Sequence, residues 1–116
     1  ERLGRDVALR RRLRAARAAR RALKDAGGMA AGADRAAAAA AALRGYIADR
    51  FNLPQAGLLA EDAAQALRGM GMDPTELLAF LDRCDAARYA PGVATQGVGD
   101  RLAEASRWVD LLERKR

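Results

Sequence analysis

The sequence predicts an all-α protein, a compact bundle of about five helices, and three observations carry that prediction. Half of the chain is apolar by the broad count, 51%, but much of this is alanine, and only Tyr46, Phe51, Phe80, Tyr89 and Trp108 are aromatic. Alanine is the best helix former, and its small side chain suits closely packed helices. The residues that favour strands are scarce: four valines, one isoleucine and two threonines. Finally, apolar residues recur at steps of three and four between glycine and proline punctuation, the rhythm of helices buried on one face. At 116 residues the chain suits one domain with a modest core.

The first helix is expected over residues 5–26. Leu9, Leu13, Ala16, Ala19 and Leu23 supply its apolar face, and Arg10, Arg14, Arg17, Arg21 and Lys24 form a second stripe within about 80° of arc. Gly27 and Gly28 end it, and residues 27–33 read as a glycine-rich joint before a helical domain over 34–116.

The second helix is expected over 34–51, with Asp34 as its cap, an alanine run at its centre, and Leu43, Tyr46, Ile47 and Phe51 on its apolar face. Asn52 tolerates the left-handed turn that closes a helix, and Pro54 blocks continuation. A short third helix over 60–69 lacks a good cap, although Glu61 and Asp62 suit the positive end of its dipole. The fourth, over 74–89, has the clearest start: Asp73 as cap, Pro74 in the first position and Glu76 where a capping box closes. Tyr89-Ala90-Pro91-Gly92 stops it. Val98, Leu102, Ala105, Val109 and Leu112 then predict a fifth helix over 97–113, with Trp108 and Leu111 beside its stripe.

Charge divides the chain. Residues 1–25 hold ten basic and three acidic residues, whereas the other 91 hold eleven basic and twelve acidic ones. The basicity therefore belongs to the first helix and not to the body. Catalysis finds little to use. Histidine, the commonest acid/base group near neutral pH and the commonest metal ligand, is absent. Cys84, the single cysteine, falls on the apolar face of the fourth helix and reads as a small hydrophobe. The glycines lack the strand and Lys-Ser/Thr context of a phosphate loop. The expectation is a protein without enzymatic activity, cofactor or metal.

Two partners remain for the basic stripe. Arginine stripes neutralise nucleic-acid phosphates, but base reading favours Asn or Gln and strand binding favours aromatic platforms, and residues 1–26 contain none of these. Lys and Arg also concentrate just cytoplasmic of a membrane span, where they meet anionic lipid. An anionic membrane surface is the stronger expectation, and a nucleic-acid-binding helical module the alternative. The chain does not start with Met, so a longer natural protein is expected.

The order of segments resembles the C-terminal cytoplasmic region of the BatD-type aerotolerance (oxygen tolerance) proteins. The arginine-rich opening RRRLRAARAARRALKDA is followed by ALRGYIADRFNLP (Ala42 to Pro54) and EDAAQALRGMGMD (Glu61 to Asp73). Next come LDRCDAARYAPG (Leu81 to Gly92), the most specific piece, and the closing ASRWVDLLERKR. The sequence departs from the pattern at Leu59-Ala60, where the family usually has a Ser or Thr cap. The resemblance implies a docking module on the cytoplasmic face of a bacterial inner membrane, in a stress or oxygen-tolerance complex. It also implies partners among von Willebrand factor A-type membrane proteins and a MoxR-type AAA+ ATPase. It transfers no catalytic residue. Arg88, Tyr89 and Pro91 stand in its most specific piece: an arginine at a helix end can bond the last carbonyls, and a tyrosine can bury its ring, or the pair can anchor an interface.

Overall fold

The structure, a computed structural model, describes residues 2–30, 32–87 and 101–115. Five α-helices make up the described fold: α1 (Arg2–Ala26), α2 (Ala33–Phe51), α3 (Ala60–Gly69), α4 (Thr75–Ala86) and α5 (Arg101–Arg114), with no strand among the described residues. The all-α bundle expected from alanine content and periodicity is what forms.

Helix α2 is the central element. It packs against each of the other four helices, most extensively against α1 and then α5. The sequence explains this position. Ala36, Ala39, Ala40 and Ala42 are buried together with Leu43, Tyr46, Ile47 and Ala48, so α2 presents small or apolar side chains around much of its circumference. Ala15, Ala16, Ala19 and Ala26 of α1 share its core, where alanine lets helix backbones come close. The larger side chains collect between α2, α4 and α5: Leu77, Phe80 and Cys84 from α4 and Val109 and Leu112 from α5 are fully buried.

Chain reversals follow from local chemistry. Asn52, the single non-glycine residue with positive φ among those described, takes the left-handed conformation. There its amide and that of Leu53 both reach back to the Ala48 carbonyl. Gly71, at φ +83°, closes α3 in the same way: its amide bonds the Arg68 carbonyl and the Met72 amide bonds that of Leu67. A side chain at Gly71 would be strained even though open space surrounds it. The Asp73 carboxylate accepts the Thr75 amide at 3.0 Å and the Thr75 hydroxyl at 2.7 Å at the entry to α4, which begins at Thr75, one position after the expected Pro74.

Three expectations need correction. Asp34 does not cap α2: the helix begins behind Gly32, whose carbonyl accepts the Ala36 amide, and Asp34 lies inside the first turn. Helix α4 ends at Ala86, short of position 89. In α1, Leu9 and Leu13 do not join the apolar face, being 54% and 74% exposed. Close approach to the alanine surface of α2 selects the side of α1 bearing Ala15, Ala19 and Ala26, and Leu13 lies about 160° around the helix from Ala15.

Candidate functional site: the cationic face of the first helix

Arg10, Arg14, Arg17, Arg21 and Lys24 are all exposed, and their stripe is centred roughly 180° from the packed face of α1. None of the five forms an ion pair within the described residues. Among the described residues the arrangement is a row of unpaired cations along a helix whose other side, from Ala15 to Ala26, is embedded in the core. Docking by residues 15–26 fixes the rotation of α1, and so fixes the direction in which the row faces.

Two other arginines of α1 behave differently. Arg11 turns to the C-terminal end of α2, where its guanidinium donates to the Asp49 carboxylate at 3.1 Å, the Asn52 side-chain carbonyl at 2.8 Å and the Leu53 carbonyl at 2.8 Å. Arg20 pairs with Asp110 of α5 at 2.8 Å. On a helical wheel Arg11 falls outside the stripe, but its partners lie about forty positions away in the chain, and no local pattern names them.

A second polar cluster joins the C-terminal ends of α2 and α5. Arg50, with a side chain only 6% exposed, donates to the carbonyls of Leu112 and Lys115 and to the Tyr46 hydroxyl, and pairs with Glu113 at 3.7 Å. Carbonyls at a helix C-terminus have no partner within the helix, and the cation also meets the negative end of the helix dipole. The Tyr46 hydroxyl in turn donates to Glu113. Burial, reinforced by that bond to Glu113, pushes the Tyr46 phenol up to about 12. Arg50 thus performs on α5 the carbonyl-capping role that the sequence offered to Arg88. Arg88, Tyr89 and Pro91 lie outside the described residues.

Two further pairs, both partly exposed, link helices of the body: Arg44 with Asp85 between α2 and α4, and Arg83 with Glu104 between α4 and α5. Cys84 is fully buried, and desolvation pushes its thiol up to about 11, so the thiolate needed for nucleophilic chemistry is disfavoured. No cluster of three or more His, Cys, Asp or Glu that could hold a metal occurs among the described residues. No described helix is long and apolar enough to cross a membrane. An apolar groove runs between α3 and α4 past Leu58, Leu59, Ala63 and Leu81, with Leu59 62% exposed at its edge.

No protein-family model matches the chain, and neither does any curated protein or solved structure.

Proposed function

We propose that this domain is a non-catalytic docking module held at an anionic membrane surface, with α1 as its membrane-facing element and the rest of the bundle available to protein partners. The observation that carries the reading is the row of five cations, without an ion-pair partner among the described residues, opposite the packed face of α1. Each Lys or Arg close to an anionic leaflet contributes about 1 kcal/mol, so a row of this size is enough to bias the domain towards such a surface. Two other arginines of α1 support it too: Arg11, largely buried, and Arg20, in a half-exposed pair with Asp110, are engaged with other helices, whereas the stripe has no such partner among the described residues.

The sequence resemblance to BatD-type proteins gives this module a setting. It would lie on the cytoplasmic face of a bacterial inner membrane, in a stress or oxygen-tolerance complex with von Willebrand factor A-type membrane proteins and a MoxR-type AAA+ ATPase.

The test is vesicle co-sedimentation of the full chain with anionic and neutral lipid. Its control changes Arg10, Arg14, Arg17, Arg21 and Lys24 to Gln. Substitution is preferable to deleting residues 1–26, because Ala15, Ala16, Ala19, Leu23 and Ala26 belong to the core. Binding that requires both anionic lipid and the five cations is the expected outcome. Sequence-selective binding to DNA, with no binding to vesicles, would replace this reading with the nucleic-acid one. Salt sensitivity alone does not discriminate, since any such cationic face shows it.

A further inference from the structure

The described side chains of α1 include three exposed large apolar ones, and all three are in its first half: Val7 at 51%, Leu9 at 54% and Leu13 at 74% exposure. Their placement around the helix is not random with respect to charge. Leu13 lies within about 60° of both Arg10 and Arg17, and Val7 within about 20° of Arg14, so apolar side chains border the cationic row on both edges. Leu9 and Leu13 also line a shallow groove with Arg12, Arg50, Glu113 and Lys115, so this apolar edge sits against the joined ends of α2 and α5.

We infer that α1 lies in the plane of an anionic bilayer interface, with Leu9 and Leu13 inserted below the phosphates and Val7 along the opposite edge. The inference rests on the membrane-surface reading and adds an orientation and a set of inserting residues. Three physical arguments carry it. Leucines that border cations match a bilayer interface, where phosphates lie directly above an apolar phase; a nucleic-acid backbone offers the phosphates without that phase. A second copy of this chain is a poor occupant of the same face, because it would set one cationic row against another.

The third argument concerns direction. From Arg10 to Lys24 the helix rises about 21 Å at about 1.5 Å per residue. Screening at physiological salt confines a charge's reach to roughly 8 Å. If α1 stood upright on the membrane, Arg21 and Lys24 would be out of range of the lipid charge. Lying flat brings all five cations to the surface together, and the exposed leucines reach the lipid in the same orientation. The arginine stems can extend along the apolar layer while their guanidinium groups stay at phosphate level.

The experiment uses the full 116-residue chain with vesicles of equimolar phosphatidylglycerol and phosphatidylcholine. Co-sedimentation compares it with the double variant L9S/L13S, and nitroxide labels at L13C, K24C and D82C report depth by power-saturation spectroscopy. Buried Cys84 leaves the introduced thiol as the reactive one. Because Leu9 and Leu13 are exposed, the double variant should melt with the parent. We expect its partitioning to fall roughly tenfold or more. We also expect the Leu13 label in the acyl layer, the Lys24 label at headgroup depth and the Asp82 label in water.

Parent-like partitioning of L9S/L13S would overturn the insertion while leaving the electrostatic surface reading in place. A Lys24 label in water, with the Leu13 label in lipid, would overturn the in-plane orientation. Failure of the parent chain to bind these vesicles at all, with or without DNA binding, would overturn both readings together.

Discussion

Helix α1 carries arginines of two kinds, and the difference between them separates what holds this protein together from what it offers to a partner. Arg11 and Arg20 reach across to other helices, and Arg50 of α2 does the same at the end of α5. Arg10, Arg14, Arg17 and Arg21 have the same chemistry and are close neighbours in sequence, yet they face solvent with no acidic partner among the described residues. The rotation of α1 makes the separation. Once the small-residue side meets α2, position 11 is carried to the α2 terminus and the stripe is turned away. Guanidinium groups in the first set are held by fixed carbonyls and carboxylates. Those in the second remain free to meet phosphates.

The comparison breaks most sharply at Arg50. Replacing it with Met keeps much of the aliphatic stem but removes the donor for Leu112, Lys115 and Tyr46, and strands part of the Glu113 charge. Loss of a largely buried, multiply bonded cation should cost about 3 kcal/mol, read as a lower urea midpoint. A loss under about 0.5 kcal/mol would mean that the cluster is no more structural than a surface pair.

Alkaline titration probes Tyr46 of the same cluster together with Cys84 of the core. The folded-state pKa values of Tyr46 and Cys84 are raised, to about 12 and about 11. A raised pKa contributes stability that is present below the unfolded value and is lost as pH climbs to the folded one. The window is therefore pH 9 to 11 for Cys84 and pH 10 to 12 for Tyr46. The Tyr46 share should amount to roughly 2 kcal/mol near pH 12. Urea unfolding measured from pH 8 to pH 12 should show this decline, and Tyr46→Phe should flatten its upper part.

Arg11 should matter less, because it is partly solvated and its carbonyl and amide partners can turn to water. Arg11→Gln is expected to lower stability by about 1–2 kcal/mol. The sharper readout is local: amide exchange at Asn52 and Leu53 should accelerate more than exchange at the centre of α2, since Arg11 bonds the turn they form.

These effects also mark what the sequence could reveal. The outward stripe was legible because helical periodicity alone sorts residues to a face, and because cations opposite a packed face remain exposed. The closing turn at Asn52 was legible as well, since backbone conformation there depends on one residue. The partners of Arg11 and Arg20, and the α5 carbonyls that Arg50 bonds, lie 38 to 90 positions away in the chain, and only the assembled fold brings them together. Leu9 and Leu13 misled for a related reason. They look like core by hydrophobicity, but an alanine-surfaced neighbour gains more from close backbone approach to Ala15 and Ala19 than from accommodating leucines. Asp34 is a suitable cap by type, yet the chain enters α2 through Gly32, two positions earlier.

The smallest effect has the opposite sign and sharpens the comparison most. Arg10 and Arg14, Arg14 and Arg17, Arg17 and Arg21, and Arg21 and Lys24 are like charges spaced three or four positions apart on an exposed helix face. Such pairs oppose helix formation, and salt weakens the opposition. Glutamine has nearly the helix propensity of arginine, so changing all five to Gln removes the repulsion and little else. Thermal unfolding of that variant at low salt should therefore show a slight gain in stability, smaller than any loss above, and the gain should fade as salt is added. A clear loss would mean that the stripe contributes to the fold after all. A small salt-sensitive gain, combined with lost vesicle binding, would show that the protein keeps these five charges at some expense to its own helix.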